Sequence, residues 1–126
     1  LTDDKSVIFD DNNNEETEAI YKKSFLLLAP IRVGAGTSYK ILEGMATGTA
    51  VITSNLGIEG LEAENNVHVL ASDNAKDLAL NVQNLLTDKT LYGKLTKNAR
   101  EFVEKNYNWE EIADKLEEVY LSTRKI

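Results

Sequence analysis

Pro30-Ile31-Arg32-Val33-Gly34-Ala35-Gly36-Thr37-Ser38-Tyr39-Lys40-Ile41-Leu42-Glu43-Gly44-Met45-Ala46-Thr47-Gly48 lies between two apolar runs, Phe25 to Ala29 and Ala50-Val51-Ile52-Thr53. A short, continuous apolar run bounded by proline or glycine is the pattern of a strand buried on both faces of a parallel sheet. Between the runs, Ile41, Leu42 and Met45 recur at helical spacing, and Gly48 stands where a helix C-terminus takes a left-handed residue. Strand, helix, strand in this order predicts a right-handed parallel crossover and hence an α/β fold.

Working outward, Ser6-Val7-Ile8-Phe9 reads as a short strand and the polar run Asp10 to Glu16 as the loop after it. Asn13 with Glu16 three residues on resembles a capping pair, from which Ala19, Ile20 and Lys23 carry a helix toward Ser24. Val67 to Ala71 reads as a further strand. The last third is helical: Leu78, Ala79, Val82, Leu85 and Leu86, then Leu91, Leu95, Ala99 and Phe102, then Ile112, Ala113, Leu116, Val119 and Tyr120 recur at helical spacing. Asn108 with Glu111 marks the start of the last helix, 109–126. No internal repeat or linker divides the chain, so residues 1–126 are expected to form one domain.

A chain of 126 residues can bury roughly two thirds of the surface it exposes when unfolded, enough for a core. The formal charge of -7 argues against sequence-independent binding to nucleic acid or to an anionic membrane, because both rely on Lys and Arg to neutralise phosphates. Without cysteine, a disulfide framework and a thiolate zinc site are excluded, and a single histidine leaves no His-rich metal site. This composition suits the cytoplasm. The longest apolar run, Phe25 to Ile31, is far short of the roughly 20 residues that span a bilayer. The chain begins with Leu1 rather than Met and enters strand-like sequence almost at once, so it reads as a piece of a longer protein.

The central stretch puts a glycine-rich turn between the C-terminal end of a buried strand and the N-terminus of a helix, where ligands bind in open α/β sheets. Free N–H groups of Gly36, Thr37 and Ser38 at the positive end of the helix dipole would suit an anion such as a diphosphate. The same Gly-x-Gly also serves as a plain tight turn. It lacks the third glycine of a dinucleotide fingerprint and the Gly-Lys-Ser/Thr of a P-loop. Glu43, among apolar Ile41, Leu42 and Met45, is either a solvated helix glutamate or a carboxylate able to accept two hydrogen bonds from vicinal ribose hydroxyls. Lys40 and Arg32 are phosphate partners or surface charges on the same terms. His68 reads as a satisfied residue at a strand end, and Phe102, Trp109 and Tyr120 as core or interface.

The string Ala29-Pro30-Ile31-Arg32, Gly34-Ala35-Gly36-Thr37, Lys40-Ile41-Leu42-Glu43-Gly44-Met45-Ala46, Gly48 and Ala50-Val51-Ile52-Thr53 resembles the signature of family 4 glycosyltransferases, retaining enzymes of GT-B fold. The likeness continues through Gly57-Ile58-Glu59-Gly60-Leu61, His68-Val69-Leu70, Asn98-Ala99-Arg100 and Tyr107-Asn108-Trp109. It implies part of a C-terminal, donor-binding domain with a Rossmann-like parallel sheet flanked by helices. The activity implied is transfer of a sugar from a UDP- or GDP-sugar to an acceptor hydroxyl with retained anomeric configuration. In such enzymes the carboxylate matching Glu43 binds the donor ribose and the turn matching Gly36 and Thr37 contacts the diphosphate. Gly34, Ala35, Ser38, Lys40 and Arg32 complete the implied donor-binding set; no catalytic residue is assigned. Neither a metal nor a cofactor is implied, since helix N–H groups and basic side chains stabilise the departing diphosphate, and the nucleotide sugar is a substrate.

Two departures from the family pattern stand out. Members often carry two glutamates separated by seven residues, and Ala35 occupies the position of the first, which leaves the sugar ring short of a carboxylate. A complete member also has an N-terminal acceptor domain and an opening strand-helix-strand portion of the donor domain, neither of which this sequence contains. In the family's strand order, 3-2-1-4-5-6, Val7 to Phe9 would be third and Phe25 to Ala29 fourth. Open strand edges, an unpartnered last helix, and rearrangement or self-association are therefore expected, with no activity from this piece by itself. Its expected partners are a nucleotide-sugar donor and the acceptor domain, with no nucleic acid; a membrane would be met only through the whole protein, at the cytoplasmic face. Polysaccharide biosynthesis follows only by family analogy. The competing readings are a non-catalytic α/β module that has lost donor binding, for which Ala35 argues, and a different nucleotide-binding enzyme.

Overall fold

A computed structural model describes residues 3–10, 16–34 and 36–123. Its elements in chain order are α1 (Thr17–Lys23), β1 (Leu26–Ala29), α2 (Tyr39–Ala46), β2 (Ala50–Thr53), α3 (Asn55–Ile58), β3 (Leu70–Ala71), α4 (Ala75–Thr87), α5 (Lys89–Asn106) and α6 (Trp109–Thr123). The three strands form one parallel sheet in the order β1-β2-β3, with Leu26 opposite Ala50, Ala29 opposite Thr53 and Ile52 opposite Leu70. Helices flank this sheet in the Rossmann-like α/β arrangement that the sequence predicts.

β2 is the central strand, and alternation along it feeds two clusters. Val51 packs with Ala29, Ile41, Met45, Leu61 and Val69 on one face, while Ala50 and Ile52 pack with Leu70, Leu85 and Leu95 on the other. α5 belongs to both: Leu91, Tyr92 and Leu95 join the second cluster, and Ala99, Phe102 and Val103 the first. Tyr92 also stacks on Phe25 at 4.7 Å and donates its hydroxyl to the Phe25 carbonyl at 2.8 Å, anchoring α5 beside the start of β1. α2 lies close on the sheet, because a Cβ at Gly44 would stand only 3.1 Å from Val51 Cγ2 and 3.2 Å from Leu27 Cδ2. The helix ends as expected, with Gly48 left-handed at φ 76° just past its C-cap.

Several expectations are corrected. Val7 to Phe9 form no strand: the Asp4 carboxylate takes the Ser6 N–H and hydroxyl, and Val7 N–H goes to Asp4 O at 3.1 Å. These local bonds build a turn in place of a ladder, and Ile8 is left 85% exposed. Asn13, proposed as a cap, lies outside the described residues; α1 begins after Glu16, whose side chain makes no capping bond. β1 is not buried on both faces, since Leu28 is 49% exposed: α4 packs on β2 and β3 and leaves the outer end of β1 open. The strand read over Val67 to Ala71 shrinks to Leu70–Ala71 with an isolated bridge between Asn65 and Val69. There the left-handed Asn66 donates to Val69 O at 2.8 Å, and His68 N–H goes to Glu64 O at 3.0 Å, so these residues are spent on a turn. Of the aromatics read as core or interface, Phe102 packs against the core, whereas Trp109 and Tyr120 are exposed and α6 buries no residue. The start of α6 is as expected, with Asn108 Oδ1 accepting Glu110 N–H at 2.9 Å.

Candidate functional site

The glycine turn follows β1 directly, with Ile31 N–H returning to Ala29 O at 2.9 Å. Gly36 has φ 90°, a conformation that a side chain opposes, and a Cβ there would meet nothing within 4 Å. Backbone shape, not crowding, demands glycine at this point. Ala35 lies outside the described residues. α2 then starts with Ser38 extended at the N-cap and no side-chain capping bond, while Ile41 and Leu42 N–H both converge on Ser38 O. The N–H groups ahead of Ile41 thus remain at the positive end of the helix without a cap to consume them.

The residues singled out in the sequence divide among three clefts. Gly34, Gly36, Thr37, Ser38 and Lys40 line one cavity of about 510 Å³, whose other wall is Leu56, Glu59 and Gly60. This volume falls inside the roughly 300–1,000 Å³ of small-molecule sites. Arg32 lies in a neighbouring cleft with Ser54, Ser72 and Asp73; Ile31 and Leu56 line both. Glu43 faces a third cleft, of about 310 Å³, with Thr17, Tyr21, Thr47 and Arg100.

The larger cavity sits where α3 closes over the C-terminal ends of β1 and β2. Ser54 donates its hydroxyl to Ile31 O at 2.5 Å, and the buried Thr53 hydroxyl donates to Ala29 O at 2.8 Å. The Asp73 carboxylate takes Asn55 N–H at 2.9 Å and the Asn55 side-chain amide at 2.8 Å, fixing the start of α3. Gly57 rests so tightly on β2 that a Cβ would fall 2.0 Å from Thr53 Oγ1. At the Glu43 cleft, by contrast, α1 is drawn in by the buried Thr49, which donates its hydroxyl to Tyr21 O at 2.9 Å. The Tyr21 phenol is pushed above its ordinary pKa by burial first, then by the charge of Glu43 and by hydrogen bonding to it.

Glu59, Tyr21 and Arg100 were not singled out as site residues from the sequence. For Glu59 the signal was present: a carboxylate between Gly57 and Gly60 soon after a buried parallel strand, hence at the ligand-binding end of the sheet. Tyr21 and Arg100 join Glu43 around one cleft from separate helices, which no local pattern announces. His68 is a structural residue, its Nδ1 accepting Glu64 N–H at 3.0 Å and its ring lying 4.4 Å from that of Phe102. Among the described residues no group of three His, Cys, Asp or Glu is placed to hold a metal ion, and no helix is long and apolar enough to cross a membrane.

The family described as glycosyl transferases group 1 matches residues 2–88, which take in every described element through α4. Two proteins of Bacillus subtilis (strain 168) are similar over much the same share of the chain. One, named glycosyltransferase YtcC, is 36% identical over 83 residues, 64% of this chain and 20% of the relative. The other, spore coat protein SA, is 33% identical over 85 residues, 65% of this chain and 22% of the relative. The matched region is therefore about a fifth of the length of either relative.

Proposed function

This chain belongs to the glycosyl transferases group 1 family, and on that premise we propose that it forms the donor-binding part of a glycosyltransferase. The donor is a nucleotide sugar, UDP- or GDP-linked, and the sugar passes to an acceptor hydroxyl with retention of anomeric configuration. The observation that carries this reading is the cavity at the uncapped start of α2. There the uncapped helix start, with the backbone donors after Gly36, and the residues Thr37, Ser38 and Lys40 line one cavity at the C-terminal edge of the sheet. These groups suit a diphosphate and would stabilise its departure without a metal. Arg32, one cleft away, adds positive charge on the same rim.

Glu43 serves the ribose. It follows Lys40 by three residues and so lies on the same side of α2, about 4.5 Å further along the axis. A ligand with its diphosphate at the helix start would extend its nucleoside along this face. An ionised carboxylate there accepts from both ribose hydroxyls.

The test is calorimetry with UDP and GDP on the whole protein that carries this chain. One of the two nucleotides is expected to bind, and Glu43→Ala to weaken it about tenfold or more, as loss of a charge-assisted hydrogen bond does. Binding of neither nucleotide, or unchanged affinity in the variant, would overturn the assignment.

A further inference from the structure

The cavity at the start of α2 has two unlike walls. Its α2 side offers donors and a cation, namely helix N–H groups, two hydroxyls and Lys40. Its α3 side carries Leu56, Gly60 and Glu59, the only acidic residue among the described lining. Glu59 follows α3 directly: its N–H returns to Leu56 O at 3.3 Å, and its backbone at φ -60° and ψ 126° turns the chain out of the helix. It is exposed, and no described residue forms an ion pair with it. The carboxylate is thus free to meet a ligand.

Chemistry limits what that ligand group can be. An ionised carboxylate only accepts hydrogen bonds, and it repels a phosphate. Glu59 therefore cannot serve the anion for which the α2 wall is suited. What it can serve is a neutral group rich in O–H donors, and a sugar joined to a diphosphate presents one at the required end of the same ligand.

We infer that Glu59 accepts hydrogen bonds from hydroxyls of the donor sugar and thereby sets which sugar the cavity holds; this rests on the reading of the cavity as a donor site. The two walls keep a fixed separation, because Ser54 ties the start of α3 to Ile31 in the turn and Asp73 ties it to the loop after β3. A carboxylate on such a base discriminates by hydroxyl position, since a sugar lacking the right hydroxyl leaves it without a donor. Repulsion between Glu59 and phosphate also orders the ligand, with the diphosphate toward α2 and the sugar toward α3.

The experiment compares Glu59→Ala and Glu59→Gln with the unaltered whole protein, using UDP, GDP, UDP-glucose and GDP-mannose as probes. The expected result is about a tenfold or larger loss of nucleotide-sugar affinity in Glu59→Ala, with UDP or GDP affinity held within ~2-fold. Glu59→Gln, which keeps an acceptor oxygen without the charge, should fall between. Unchanged sugar affinity, or an equal loss for nucleotide and nucleotide sugar, overturns the role of Glu59 while leaving the donor-site reading in place. If none of the four probes binds the unaltered protein, the donor-site reading fails and the role of Glu59 with it.

Discussion

At the start of α2, the cavity's far wall is tied to the strand ends by the Ser54, Thr53 and Asp73 bonds and by the close seat of Gly57. One turn along the same helix, Glu43 faces a cleft whose far wall is α1, a helix of 7 residues with none buried. The first wall inherits the rigidity of a parallel sheet. The second depends on tertiary contacts, because a helix so short is far below the roughly 12–15 residues at which isolated helices become even marginal in water. On the proposed donor-site reading, the difference teaches where each subsite would draw its selectivity: fixed donors and acceptors at the start of α2, and a more adjustable fit beside Glu43.

Three variants break or sharpen this contrast, taken from the largest expected effect. Gly57→Ala drives a Cβ to 2.0 Å from Thr53 Oγ1 and should cost roughly 3 kcal/mol by denaturant unfolding. If stability is unchanged, the wall is not as tightly seated as described. Thr49→Val removes the hydroxyl that reaches Tyr21 O, which retains its bond from Ser24 N–H, so the cost should be about 1 kcal/mol. Hydrogen exchange should rise in α1 and stay the same in α3; a uniform rise would erase the distinction between the two walls.

The smallest effect is in the alkaline titration of Tyr21. Its folded pKa lies above the ordinary value of 10.0, so the neutral phenol contributes stability that is fully present below pH 10 and lost as pH rises through the folded value. Ultraviolet difference titration should show Tyr21 ionising late. Glu43→Gln should bring the transition partway back toward 10.0, with the part due to burial remaining; an unmoved transition would place the Glu43 carboxylate away from the phenol.

Much of the fold was legible because its signals are local. The runs that became β1 and β2, the apolar face of α2 and the left-handed Gly48 each depend on neighbours a few residues away. Val7 to Phe9 misled because alternation and β-branching describe a strand's surface, whereas a strand exists only where another offers a ladder. There the Asp4 turn had the nearer claim on the backbone. The same holds for Val67 to Val69, where the apolar pattern is right and the left-handed Asn66 overrides it. In the site, the turn around Gly36 could be read in one stretch; the opposite wall carries a local signal at Glu59, but nothing local says that it faces the turn.

What the sequence determined by itself is the α/β framework, the helix-start donors after Gly36 and the likeness that names the family, since all three are carried by contiguous residues. Only tertiary structure decided that Glu59 faces Lys40 across one cavity, that Glu43 belongs to a cleft shared with Tyr21 and Arg100, and that β1 keeps an open face. The reason is physical. A strand or helix start follows from short-range sterics and hydrogen bonding, whereas the composition of a cavity depends on which distant segments the sheet brings together, and that is set by packing across the core.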